Sequence, residues 1–279
     1  MSSIGVMLKL VVDRIVSGDD EHHTLLSLPE HVLEIRKLCQ MGNSDVYDVE
    51  QVAVRDPAFC GYLLQLANSP LYAAGKQDCS KLVDAVRRLG VHAVGETALV
   101  FALRQMHLIR GISNVLTEEL KHNWQAGWDL GRRSTELYWQ HRHRSSREAR
   151  RIDVSDVVTA GILSRMGHLA VFTAAAVLER KGKKLSHEQL GELADQLNPL
   201  ILPQLLEHWR LGSNYAAHLL SPAGISEPLH HSDYLWGARV LELLGNVRDM
   251  ETLDRKWLPV YERMVKLSVL DDEIATQVG

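Results

Sequence analysis

Cysteine is scarce in this sequence of 279 residues: Cys39, Cys60 and Cys79 are the whole complement. The number is odd and no pair has C-x-x-C spacing, which excludes a disulfide framework and a zinc ribbon and points to a reduced, cytoplasmic protein. Glycine and proline are sparse as well, at 19 and 8 residues, too few for a collagen-like or disordered chain. There is no cationic excess. The 31 Lys and Arg stand against 35 Asp and Glu, a formal net charge of −4, which disfavours a nucleic-acid binder that works through bulk positive charge. Long hydrophobic runs are missing. The longest apolar-rich stretch, Leu169–Leu178, is about half of what a bilayer span requires, so no membrane association is expected. Strand signals are also weak, with no Val/Ile/Thr alternation between turn pairs and no Asn-Gly or Asp-Gly hairpin. GxxxxGK[ST], GxGxxG and GxSxG are absent.

Apolar types make up 46% and charged types 24% of the chain, the balance of a soluble globular protein. The surplus is in histidine, with 14 residues, the side chain best suited to metal ligation and to base catalysis near neutral pH. Helix signals recur along the chain. Val32, Leu33, Ile35, Leu38 and Met41 share one face at helical spacing. Asp56-Pro57 reads as an N-cap followed by proline at the first helical position. Ser80 reads as the next cap, with a helix to Leu89 and a stop at Gly90. An apolar helix follows over 92–109. Thr117 with Glu118 and Glu119 opens a long helix to about His141. Asp153 or Ser155 opens another, which Gly167 breaks before 168–180. Ser186 and Gln189 make a capping box, and further helices are expected over 199–210, 215–220, 228–244 and on to about Ile274. The apolar stretch Ile4–Val16 contains Lys9, Asp13 and Arg14 and lacks a small-residue cleavage site. It reads as a helix that packs on its own domain, with a dimer or partner contact as the alternative, and not as a secretory signal.

Four pieces of the N-terminal half resemble a known bacterial family, the HDOD domain. They are Leu28-Pro29, Arg55-Asp56-Pro57, the run from Leu63 through Ala67-Asn68-Ser69-Pro70 to Tyr72, and Asp84-Ala85-Val86-Arg87-Arg88-Leu89-Gly90. The resemblance covers residues 28–245, with a boundary near 112, and leaves 1–27 and 246–279 as helical extensions. It implies an all-α, multi-helix bundle of two helical parts, the second (113–245) related to the HD metal-dependent phosphohydrolases. In that superfamily, converging histidines and aspartates hold a divalent ion that activates water.

Carried over by position, the ligand set is largely gone. His122 would be the first histidine. Gly161-Ile162-Leu163-Ser164-Arg165-Met166-Gly167-His168-Leu169 resembles the family's "GLLHDIGKL", so Ser164 and Arg165 stand where the His-Asp pair belongs. Asn198 falls near a later histidine, and Pro222-Ala223 near the paired histidines. No aspartate occupies the distal position around 236–239. Arginine supplies no acceptor and repels a divalent ion. The expectation is therefore a degenerate site with no metal and no cofactor, in a signalling domain that works through an unidentified protein partner. The alternatives are a phosphohydrolase with rearranged ligands (His122, His168 and a carboxylate such as Asp129 or Asp156) and a small anionic-ligand module with Arg165 as the clamp.

Other candidates are weaker. The adjacent pairs His22-His23 and His230-His231 read as exposed polar residues, because sequence neighbours face different ways. His168, His208 and His218 read as partly buried and hydrogen-bonded. Seven arginines against two glutamates over 132–151 give a local +5. They read as a solvated connection; the alternative is a patch for an anionic partner made by Arg142, Arg144, Arg147, Arg150 and Arg151. Tyr138 and Trp139 read as core.

Overall fold

Side-chain caps set many of the helix boundaries. Asp56 accepts from the backbone N–H groups of Ala58 and Phe59, both at 3.0 Å, and starts a helix over Pro57–Ala67. Asp153 caps Val154–Leu163, and the Ser186–Gln189 capping box opens His187–His208. The structure, a computed structural model, describes residues 3–17, 26–73, 77–144, 149–211, 215, 218–219, 221–222, 229–244, 257–267 and 269–270. Among the described residues there is no strand, and the fold is all-α. The chain divides into two units, residues 26–108 and a second formed by 1–25 with 109–279.

The 26–108 unit holds α2 (Glu30–Gln40), α3 (Val46–Ala53), α4 (Pro57–Ala67), α5 (Pro70–Ala73), α6 (Leu82–Leu89) and α7 (Val91–Met106). α2 lies along α7. A Cβ on Gly95 would stand 2.9 Å from Cys39 Cβ, so glycine is what lets the two helices approach. Burial pushes the Cys39 thiol up to about 12. Arg36 is buried on α2 because Glu96 meets it at 2.8 Å. Met41, expected on the apolar face, is instead the exposed C-cap. Asn68 explains the Asn-Ser-Pro turn. Its side chain donates to Cys79 O at 2.9 Å and accepts from Cys79 N at 2.7 Å, tying the end of α4 to the approach to α6. Arg88 adds bonds to Ala67 O and Gln77 O. Ser80 caps nothing, since the helix begins one residue later with Lys81 at the N-cap. Gly90, at φ 89°, ends α6 and starts α7.

The second unit holds α1 (Ser3–Ser17), α8 (Asn114–Arg144), a 3₁₀ turn (Ala149–Arg151), α9 (Val154–Leu163), α10 (Met166–Arg180), α11 (His187–His208), α12 (His231–Leu244) and α13 (Leu258–Lys266). α1 packs on α10 and α11 through Leu8, Val12 and Ile15, each almost fully buried. α8 begins at Asn114, three residues before the expected cap, because Ser113 Oγ accepts from Leu116 N. The break near residue 167 falls instead at Ser164-Arg165, and Gly167 lies inside α10. A Cβ on Gly167 would stand 2.8 Å from Asn198 Cα, so this glycine seats α10 on α11. The helix expected to start at Pro199 is the second half of α11. Pro199 and Pro203 are exposed, which puts their missing N–H donors on the solvent side. α9 and α10 together, Val154–Arg180, reach a mean hydropathy of 1.5 over a length sufficient to cross a membrane, and 94% of that window is buried inside the protein. This stretch is longer than the apolar run read from sequence, and its apolar character is that of a core. The helices expected over 215–220 and beyond Lys266, together with His22, His23 and Ala223, lie wholly or largely outside the described residues.

Candidate functional site

The positions that the sequence resemblance marks as a ligand site, Ser164, Arg165 and Asn198, lie together in the second unit, in a group drawn from four elements. The turn between α9 and α10 supplies Ser164 and Arg165, α10 supplies His168, and α11 supplies Asp195 and Asn198. α8 closes the group with Asn123. Ser164 is 1% exposed, and its Oγ donates to Gly161 O at 2.7 Å, back into its own helix. Asn198 Nδ2 donates to Ser164 O at 3.2 Å. Arg165 Nε donates to Asn123 Oδ1, and Asn123 Nδ2 donates to Arg165 O, both at 3.2 Å. The side chains at these positions are amides, a hydroxyl and a guanidinium, and they bond to one another (Arg165–Asn123) or to nearby backbone carbonyls.

His122 does not join them. It lies on the exposed side of α8, and Asn123, one residue and about 100° further round, is the buried one. The sequence position one residue before the inward side chain therefore carried the resemblance, and no local signal distinguished the two. His168 is held as expected, with Nε2 2.8 Å from Asp195 Oδ1. Burial lowers the His168 pKa, the nearby Arg165 cation adds to this, and the bond to Asp195 opposes it. The same bond lowers the Asp195 carboxyl. His168 Nδ1 and Asn198 Oδ1 are buried without a hydrogen-bond partner of good geometry. Asp195 itself is 73% exposed at the side chain.

The sequence matches the HDOD domain family over residues 25–219, more than half of its length. This chain belongs to the HDOD family. A search of curated proteins found no relative of this HDOD chain. Two solved structures share its fold. One, described as "Putative metal-dependent phosphohydrolase" from Shewanella amazonensis SB2B, is 16% identical, covers 88% of this chain and 92% of its own, and superposes with a TM-score of 0.63. The other is an HDOD domain protein of unknown function from Geobacter sulfurreducens, 17% identical, covering 99% of this chain and 98% of its own, with a TM-score of 0.57. At these identities the likeness concerns the fold.

The divalent ion that the HD relationship implies does not fit the donors found here. Ser164 Oγ is turned into its own helix, Arg165 brings a cation, and the one His–carboxylate pair at this place, His168–Asp195, is already a mutual hydrogen bond. The other sequence candidates lie elsewhere. Arg142 is half-buried, donates to Tyr138 Oη and sits 5.3 Å from the Trp139 ring centre. Arg150 and Arg151 are exposed on the 3₁₀ turn, the side chain of Arg144 is not among those described, and Arg147 lies outside the described residues. Trp139, read as core, is 43% exposed, whereas Tyr138 is buried. His208 is exposed rather than partly buried. The pair His230-His231 is not the exposed pair expected. The His230 ring lies 4.3 Å from that of His218, and His231 packs edge-on to Tyr215 at 5.0 Å. Burial lowers the His231 pKa, with His230 and His218 acting the same way and the Asp156 and Asp233 carboxylates opposing. Next to them Asp233 and Arg263, each 1% exposed, form a two-pronged ion pair at 2.8 Å.

Proposed function

We propose that this HDOD chain is a non-catalytic regulatory module of bacterial signalling, acting in the cytoplasm on protein partners in trans through the surface of an HD-like frame. The observation that supports the reading is the donor chemistry at these positions: Asn123 bonded to Arg165, and Asn198 bonded to the Ser164 carbonyl, where a phosphohydrolase needs converging imidazoles and carboxylates. A frame whose helices keep their close contacts while the reactive donors are replaced retains shape and loses chemistry.

The rival reading, a phosphohydrolase with rearranged ligands, draws on His168 and Asp195. Calorimetric titration with Mn²⁺ and a phosphoester panel assayed with added Mn²⁺ separate the two. We expect no stoichiometric heat and no hydrolysis above buffer. One bound equivalent of metal, with hydrolysis abolished by chelator and by His168→Ala, would overturn the proposal.

A further inference from the structure

α8 buries one side and leaves the other open. Leu116, Leu120, Asn123, Leu130, Leu137 and His141 face the unit's interior. Half a turn away runs a stripe at i, i+4 spacing: Trp124, Trp128, Arg132, Trp139 and Arg142. Trp128 is 44% and Trp139 43% exposed. Trp124 and Trp128 stack with ring centres 6.3 Å apart, and Arg142 lies over Trp139. Two of the chain's six tryptophans are thus exposed on this stripe, and a third, Trp124, is half-buried beside them. Tryptophan and arginine are the residues that dominate protein–protein hot spots. Two segments of the sequence are strongly basic: 132–151, which the stripe enters at Arg132, and Arg180–Lys184, just before α11. Of the seven arginines in 132–151 the stripe itself carries two, Arg132, which also pairs with Glu136, and Arg142.

In the same unit, α11 has the opposite character. Glu188, Glu192, Asp195 and Glu207 are exposed, no Lys or Arg lies between His187 and His208, and Leu200 is 47% exposed among them. The lengths agree. Trp124 to Arg142 spans about 27 Å and Glu188 to Glu207 about 28 Å, at 1.5 Å per residue.

From this pairing we infer that the α8 stripe is a self-association surface whose occupant is α11 of a second copy of this chain. Because both faces belong to one unit, a two-fold axis makes the contact twice, stripe to acidic helix and acidic helix to stripe. Each contact, about 27 Å long and one helix width of about 10 Å, hides roughly 300 Å² per protomer. Two contacts on both protomers hide roughly 1,200 Å², the lower edge of the range for stable dimers. The dimer is therefore concentration-dependent and salt-sensitive.

Sedimentation velocity of the full chain over a hundredfold concentration range tests this. The dimer is expected at low salt, with a Kd weakened about tenfold by Trp128→Ala and by Trp139→Ala, as for hot-spot tryptophans. Raising NaCl weakens it several-fold. Arg132→Glu and Glu192→Arg each weaken it alone. An equimolar mixture of these two variants restores it, because one contact is then wild-type and the other carries both reversals. All of these residues are exposed, and circular dichroism confirms folding. A chain that stays monomeric at about 100 μM and low salt overturns the inference, whatever else binds the stripe. So does a dimer indifferent to both tryptophans, or a mixture that shows no recovery.

Discussion

Replacing Gly161 with alanine forces a methyl group into the place where α9 crosses α8. The added Cβ would stand 2.4 Å from both Cα and N of Gly131 and 3.1 Å from the carbonyl carbon of Leu130. Carbon atoms in contact settle at about 3.5–4.0 Å, so the helices must part by roughly 1 Å. The obstruction is backbone, so no rotamer change relieves it. Overpacking of this kind costs about 1–3 kcal/mol, and a rigid backbone partner puts this case at the upper end, about 3 kcal/mol. For a unit of this size that is a fall in Tm of roughly 6–12 °C. The control is Gly191→Ala on α11, where nothing lies within 4 Å of the new Cβ. There the higher helix propensity of alanine stabilises by about 0.5–1 kcal/mol. Thermal and urea denaturation followed by circular dichroism read both. A Gly161→Ala protein that melts within a degree of wild type refutes the close-crossing argument. Two alanine variants that both stabilise show that propensity, not packing, governs the site.

Three further predictions concern titratable groups. Burial lowers His107 from 6.5 to about 4, so the folded state resists the proton that the unfolded chain accepts. Stability is full above about pH 6.5 and is lost as pH falls toward 4. At about 1.4 kcal/mol per pH unit the total is roughly 3 kcal/mol. Urea titrations of wild type and His107→Gln at pH 7 and pH 4.5 should show the smaller acid loss in the variant. Arg263→Met strands the buried Asp233 carboxylate and should cost about 3–5 kcal/mol. Adding Asp233→Asn should recover part of that, and strict additivity in the double-mutant cycle would argue against the pair. Cys39, with its thiol pushed up to about 12, should stay unlabelled by a disulfide reagent in the native protein at pH 8 and react only on unfolding.

Local chemistry made part of this fold legible. Asp56-Pro57 and Ser186–Gln189 act within one helical turn, so sequence alone located two starts and narrowed a third to Asp153 or Ser155, of which Asp153 is the cap. α3 escaped because its capping box uses Asp45 with Asp48 in place of the commoner Glu or Gln. α11 was cut in two because Pro199 and Pro203 are breakers unless their missing donors face water, which is a tertiary fact. At the candidate site, Ser164 and Arg165 could be placed because the apolar frame around them is distinctive. The choice between His122 and Asn123 depends on the rotation of a 31-residue helix, which is fixed by glycine contacts at 127 and 131 that no motif announces. The exposure of Trp139 was hidden for the same reason: its neighbour Tyr138 takes the inward position.

Arg165 sits close to the middle of the most apolar stretch of the chain, Val154–Arg180. On a nascent or unfolded chain that stretch has the length of a bilayer segment, and nothing yet covers it. An arginine near the centre of such a segment raises the cost of insertion by about 2.5–3.5 kcal/mol. A His-Asp pair at 164 and 165 would place one ionised group there as well. The arginine, with an added proton that no physiological pH removes, makes the penalty permanent. An arginine at this position thus biases the emerging chain toward its own core and away from lipid.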